Sequence, residues 1–361
     1  MARTLWIDAM GVLRTIDQTR LPFEVREIAL ASPAACAEAI RTMRVRGAPL
    51  IGAVGAYGLA LALRTDPSDD ALEAAFEELL ATRPTAVNLR WALERVRDHV
   101  AGLPPAGRAA AAWTECAAIC DEDVACNRAI GRHAARLLLA AREAAGADTI
   151  NILTHCNAGS IATIDEGTAL AAVYRLHRDG IPVHVWVDET RPRNQGAGLT
   201  AWELGRRGVP HTLVTDNAGG LLMQRGLVDA VVVGCDRVAA NGDVVNKVGT
   251  YLKALAARDA DVPFFVACPL SSIDSRAPDG AAVEIEYRAP GEVTHVQGLD
   301  EATGVVRSVR IAPEGTAALN PGFDVTPARL VTALVTEKGV AAASREGIAS
   351  LLAVPEGTER G

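Results

Sequence analysis

Apolar residues follow two rhythms along this chain, and the change falls near Thr149. Before it they recur at three- and four-residue spacing over Pro33 to Met43, Pro49 to Leu63, Ala71 to Leu80, Ala86 to Gly102 and Arg108 to Cys120, which predicts amphipathic helices. A further long helix is expected from Asp121, read as its N-cap, to Ala145. Two short strands should precede the helices, around Thr4 to Ile7 and Val12 to Ile16, with Ala9-Met10-Gly11 as their turn.

After Thr149, short apolar runs alternate with helical stretches. The strands are expected at Ile150 to His155, Pro182 to Asp188, His211 to Val214, Ala230 to Gly234 and Phe264 to Ala267. The helices are expected at Ile161 to Asp179, Gly196 to Arg207, Ala218 to Gly226 and Lys247 to Ala257. Such alternation predicts βαβ units and an α/β fold with a parallel sheet covered on both faces. Another helix is expected to start at Thr326-Pro327 and end near Glu337-Lys338-Gly339, and Pro355 to Gly361 read as frayed.

Composition narrows the function classes. The net charge of −8 argues against a nucleic-acid-binding surface, although one basic pocket for a phosphate remains compatible with it. No 18-residue run is wholly apolar and the opening residues lack a signal-peptide pattern, so the expectation is a cytoplasmic protein without membrane contact. Seven cysteines without paired spacing suit a reducing compartment. Cys116 and Cys120 read as small residues on a buried helix face, and with the histidines scattered no metal is expected.

Two strand ends carry candidate chemistry. Ala230 to Leu255 runs from an apolar strand into Cys235 and Asp236, then through Asn241-Gly242-Asp243 to Asn246-Lys247, which are expected to open a helix. Ligands of α/β proteins collect at the carboxyl ends of strands, and helix N-termini attract phosphate. Burial there without a fixed cation would raise the pKa of Asp236 and make it a candidate general acid. In Asn151 to Asn157, Cys156 ends a strand before Ala158-Gly159-Ser160, a setting expected to favour thiolate. His155 is a poor base for it, since neighbours on a strand face opposite ways.

Arg46-Gly47-Ala48-Pro49 and Arg83-Pro84-Thr85 each place an arginine before a proline-marked helix start, where it could clamp an oxyanion. Gly196 to Ala201 fits G-x-G-x-x-A, but the preceding strand ends too far upstream for a dinucleotide turn, so no nucleotide cofactor is expected.

In order along the chain, IDQTRLPFE from Ile16, VRGAPLIGAVGAYGLALAL from Val45, RPTAVNLRWAL from Arg83, ILTHCNAGSIAT from Ile152, VDETRPRNQGAGLTAWEL from Val187, GCDRVAANGDVVNKVGTY from Gly234 and NPGFDVTPARLVTALVTEKGV from Asn320 resemble the methylthioribose-1-phosphate isomerase family. That family lies in the superfamily that also holds regulatory subunits of translation initiation factor 2B. The resemblance implies catalytic roles for Cys156 and Asp236. It implies substrate binding by Arg46, Gly47, Ala48, Arg83, Gln195, Asn246 and Lys247. It further implies a mainly helical N-terminal domain with a small antiparallel sheet (1–125), a Rossmann-like C-terminal domain (126–361), a homodimer, and a sugar-phosphate substrate with no cofactor.

The expected reaction is isomerisation of 5-methylthioribose 1-phosphate to 5-methylthioribulose 1-phosphate in methionine salvage. Two rivals stand beside it: isomerisation of ribose 1,5-bisphosphate or 5-deoxyribose 1-phosphate, and a non-catalytic regulatory subunit. Whether Cys156 serves as base or as stabiliser stays open.

Overall fold

A computed structural model describes residues 3–84 and 86–354; Pro355 to Gly361 lie outside the described residues. Strands β1 (Leu5–Ile7) and β2 (Leu13–Ile16) form the expected antiparallel pair, and Gly11 N donates to Asp8 O in the turn. An edge strand, β3 (Glu27–Ala29), joins β2; three residues are too few to show a period. Helices α1 (Pro33–Arg41), α2 (Ala48–Thr65), α3 (Asp69–Leu80) and α4 (Val87–Val100) follow. Ser32 and Ser68 cap α1 and α3 by accepting from Ala35 N and Ala71 N.

Helix α2 is apolar on every side and, by length and composition, could cross a membrane, yet it is mostly buried against its neighbours in the helical layer. Gly52 lets α4 approach closely, because a Cβ there would fall 2.8 Å from Asn88 O.

The two helices expected to meet at Asp121 are one. Helix α5 (Pro105–Ala145) is continuous over 41 residues, and Asp121 is an exposed interior residue paired with Arg3 at 2.7 Å. No proline interrupts this stretch, and its buried stripe keeps phase through Cys116, Cys120, Val124, Ala134 and Leu138. An acid that faces solvent mid-helix satisfies itself with a surface partner and need not cap. The first half of α5 packs in the core of the helical layer; the second half packs on α6 (Ala169–Arg178) and the large sheet. The expected division at residue 125 falls inside this helix.

The large sheet contains β4 (Ile150–Thr154), β5 (Val183–Asp188), β6 (His211–Val214), β7 (Ala230–Val233) and β10 (Phe264–Ala267), close to the expected strands. Its spatial order is β16 (Gly339–Ala341), β15 (Ala333–Thr336), β10, β7, β4, β5 and β6, parallel throughout except for β16. Alternate residues feed opposite faces. Ile152, Val185 and Val232 pack beneath α5 and α6, whereas Leu153, Val231 and Val266 meet α8 (Ala218–Gln224) and α9 (Thr250–Asp259). This is the expected α/β arrangement.

Three expectations after Thr149 are corrected. Lys247 does not open a helix: β8 (Arg237–Ala239) and β9 (Val244–Lys247) join β11 (Ile273–Asp274) and β14 (Phe323–Thr326) in a second sheet. Gly249, at φ +103°, forces the backbone out of helix before α9. The tail helix is instead a hairpin of β15 (Ala333–Thr336) and β16 (Gly339–Ala341), because β-branched residues flank the two-residue loop Glu337-Lys338. The helix that closes the tail is α11 (Arg345–Leu352). In the stretch from Ile161, the regular helix begins only at Ala169, after Glu166 and Gly167 take positive φ. The remaining strands, β12 (His295–Asp300) and β13 (Val305–Arg310), form a separate hairpin after the short α10 (Gly291–Thr294). Helix α7 (Ala201–Arg206) continues a π-turn over Gly196–Thr200.

Candidate active site

All nine residues singled out by the sequence line one cleft: Arg46, Gly47, Ala48, Arg83, Cys156, Gln195, Asp236, Asn246 and Lys247. The helical layer supplies the first four, and the carboxyl edge of the large sheet with its flanking loops supplies the rest. Helix α2 begins here with Gly47 as an N-cap that offers no side-chain acceptor, so its first backbone N–H groups remain available to an anion. Gly47 has φ +99°, and a Cβ on it would sit 2.3 Å from Ala162 O; only glycine lets the two segments meet.

Cys156 follows β4 with φ +66°, an uncommon conformation for a non-glycine residue. Its N–H donates to Thr190 Oγ1 at 2.9 Å, and its carbonyl accepts from Thr200 Oγ1 at 2.7 Å, so the turn is held from both sides. His155 is occupied elsewhere, with Nδ1 3.1 Å from Asp188 Oδ2 and Nε2 2.9 Å from Val248 O, in keeping with its exclusion as a base for Cys156.

The thiolate expectation is corrected. Burial pushes the Cys156 thiol above its ordinary range; Arg46 and Lys247 pull it back, and Asp236 opposes them. The segment that follows it opens no α-helix, since Ser160–Ala162 is a single 3-10 turn. Burial likewise raises the Asp236 carboxyl, against the pull of three fixed cations, Lys247, Arg83 and Arg46, that the sequence reading did not place beside it. Both residues line the cleft and are partly exposed in it.

Lys247 is buried at the end of β9, where Nζ donates to Gly322 O at 2.7 Å and lies 4.9 Å from the Phe323 ring centre. Burial lowers its pKa, and the charges of Cys156 and Asp236 hold it up. Asn246 Nδ2 donates to Thr250 Oγ1, which donates to Lys247 O, so the strand end and the start of α9 are tied together. Gln195 is buried with Oε1 unpartnered on the cleft wall, an acceptor suited to a ligand hydroxyl. Arg83 pairs with Glu286 at 2.8 Å, and Arg288, also lining the cleft, pairs with Glu286 and Glu292.

Sequence reading missed four residues around the site. Asn157 and Glu203 hold Arg46 from behind, and Glu286 and Arg288 line or bind the rim. Asn157 sits within the NILTHCN segment and was legible as part of a strand end. Glu203 carries no local signal. Cys235 packs against the core beside Cys268, and Cys116 and Cys120 are buried in the helical layer, as read. One acidic trio, His155, Asp188 and Asp216, has metal-like spacing. Lys253 Nζ lies 3.0 Å from Asp188 Oδ2, so an internal cation already neutralises that carboxylate.

Residues 44–343 match the model of the initiation factor 2 subunit family. The chain is 58% identical over 354 residues to methylthioribose-1-phosphate isomerase of Acidiphilium cryptum, covering 97% of this chain and 95% of that one. It is also 58% identical over 360 residues to the protein of the same name from Rhodospirillum centenum, covering 99% and 95%. The crystal structure of 5-methylthioribose 1-phosphate isomerase from Pyrococcus horikoshii superposes with a TM-score of 0.84 at 40% identity, over 98% of this chain and 97% of that one. A structure described as translation initiation factor eIF-2B subunit delta from A. fulgidus gives 0.80 at 37% identity, over 98% and 100%.

Proposed function

The chain belongs to the initiation factor 2 subunit family, and from that premise we propose that it isomerises 5-methylthioribose 1-phosphate to 5-methylthioribulose 1-phosphate in methionine salvage. The observation that carries the reading is the convergence in one cleft of the partly buried Asp236, its carboxyl pKa raised by desolvation, Cys156, and the cations Arg46, Arg83 and Lys247. The fold alone does not choose between an isomerase and a regulatory subunit, since both kinds of relative superpose on it. The intact acid and thiol favour catalysis.

A sugar phosphorylated at C1 has no free anomeric hydroxyl and does not open by itself. Asp236 gives its proton to the ring oxygen, the bond from that oxygen to C1 breaks, and the 4-hydroxyl is released. Hydrogen then moves from C2 to C1 while the 2-hydroxyl proton returns to the Asp236 carboxylate, leaving a C2 ketone. The reaction is internally balanced and calls for no cofactor. The hydrogen is assigned to a hydride shift within the cleft, a route that needs no deprotonated base at C2.

The phosphate is assigned to Arg46, Arg83, Lys247 and the N–H groups of Gly47 and Ala48 at the start of α2, with Gln195 and Asn246 on the sugar hydroxyls. The apolar side chains Met43, Ile51, Val283 and Phe323 line the same cleft and suit a methylthio group.

The same reading makes the protein a cytoplasmic homodimer that contacts neither nucleic acid nor membrane. The edge strand β6 and helices α8 and α9 each expose a leucine, Leu213, Leu221 and Leu252, apolar side chains available to a second copy. Turnover of 5-methylthioribose 1-phosphate, ribose 1,5-bisphosphate and 5-deoxyribose 1-phosphate tests the proposal, with preference expected for the first. Deuterium placed at C2 should be retained at C1 of the product; its loss to solvent would overturn the hydride route, and no turnover would overturn the enzyme reading.

A further inference from the structure

Arg46 is buried where its charge reaches both Cys156 and Asp236, and two of its donors turn backward into the protein. Its Nη1 donates to Asn157 Oδ1, and its Nη2 donates to Asn157 O at 2.7 Å. Asn157 is held in turn, since its Nδ2 donates to Glu203 Oε1 and to Thr200 Oγ1. Glu203 is fully buried on α7, and its Oε2 accepts from Ser160 N at 2.8 Å and Ser160 Oγ at 2.7 Å. The fit is close enough that a Cβ on Gly159 would fall 2.0 Å from Glu203 Oε1.

A carboxylate accepts hydrogen bonds and donates none, so it fixes which way the Asn157 amide faces. The NH2 must point at Glu203, leaving the amide oxygen for the guanidinium. A reversed amide would aim two donors at a buried cation. Glu203 also places a negative charge behind Arg46, which a buried guanidinium requires.

We propose that Glu203 is a positioning residue: through Asn157 it sets the orientation and charge balance of Arg46, and thereby the reactivity of Cys156 and the seating of the substrate. The catalytic consequence rests on the isomerase reading; the effect on Cys156 does not. Arg46 is the foremost group pulling the Cys156 thiol down, so disturbing its seat should make the thiol harder to ionise.

The test pairs alkylation with turnover. Iodoacetamide modification of Cys156, followed across pH by mass spectrometry of its peptide, reads the thiol in the unliganded protein. In Glu203→Gln the alkylation midpoint is expected to move up by about one pH unit, and kcat/KM to fall at least tenfold. The swap Asn157→Asp with Glu203→Gln should restore both to within about threefold. There the introduced glutamine amide donates to the introduced carboxylate, which accepts from Arg46, and the total charge is unchanged. Asn157→Ser should reproduce the Glu203→Gln shift, and serves if Glu203→Gln does not fold. An unchanged midpoint in a folded single variant, or a swap no better than the single variant, overturns the proposal. Should the wild type turn over no sugar phosphate, the isomerase reading falls while the alkylation comparison still decides this one.

Discussion

Replacing Asp123 by asparagine should remove a pH-dependent weakness from the fold. Asp123 lies on α5, where its Oδ2 accepts from Ile164 N at 2.8 Å and from Asn127 Nδ2 at 3.0 Å. It thereby pins the loop that follows the Ser160–Ala162 turn. Burial raises its carboxyl from the ordinary 3.8 to about 7, against the pull of those two donors. The unfolded chain loses this proton near pH 4 and the folded one near pH 7. Stability from this group is therefore complete below pH 4 and is lost as pH rises through about 7.

Each pH unit in that window is worth about 1.4 kcal/mol, so the whole interval has a ceiling of ~4 kcal/mol and the stretch from pH 5 to 8 one of ~3 kcal/mol. The carboxyl borders a groove between α5 and the segment Leu270–Asp274, and water there lowers the figure. We expect the asparagine variant to gain about 1–3 kcal/mol on the wild type between pH 5 and pH 8, because its amide oxygen still accepts both hydrogen bonds and carries no charge. Urea unfolding at the two pH values measures the gain. A stability difference between the two proteins that is the same at both would refute the reasoning.

Two predictions concern the cleft directly. Asp236→Asn keeps the shape of the side chain and removes the proton it delivers, so kcat should fall about 100-fold or more while the thermal midpoint holds or rises; a rate within threefold of wild type would remove Asp236 from the chemistry. Gly47→Ala places a methyl group against Ala162 O at a backbone conformation that alanine resists. It should cost about 1–3 kcal/mol of stability and raise KM by displacing the start of α2, and crystallography of the variant would show the shift.

The sequence was most informative where chemistry and local period coincide. Cys156 and Asp236 end strands whose apolar runs are unmistakable, and the cleft gathers every residue the motifs singled out. What escaped reading has physical causes. The strand β9 hides because Asn246-Lys247 precede a helix and resemble its first turn; only the left-handed Gly249 shows where helix becomes possible. Asp121 misleads because an acid in the middle of a helix and an N-cap look alike in one dimension. The Cys156 thiol was misjudged because burial by segments far away in the chain outweighs the pull of Arg46, 110 positions upstream, and burial is not a local property. Glu203 is silent for the same reason: its partners, Asn157 and Ser160, lie more than 40 residues away.

The unbroken course of α5 has a consequence for how this protein tolerates changes in length. One end of the helix is embedded beside α2, which presents Arg46 and Gly47, and the other lies against α6 and the sheet that presents Cys156. The rotational phase between those two grips therefore aligns the halves of the cleft. A single inserted residue near the middle would turn everything beyond it by about 100° and advance it by about 1.5 Å, so the two packing stripes could no longer both face inward. Length could change there only in steps of about seven or eleven residues, which nearly restore the phase, and even these would spread the walls by two or three turns. Loops elsewhere absorb insertions locally; this helix acts as a gauge block, and its residue count is part of the active site.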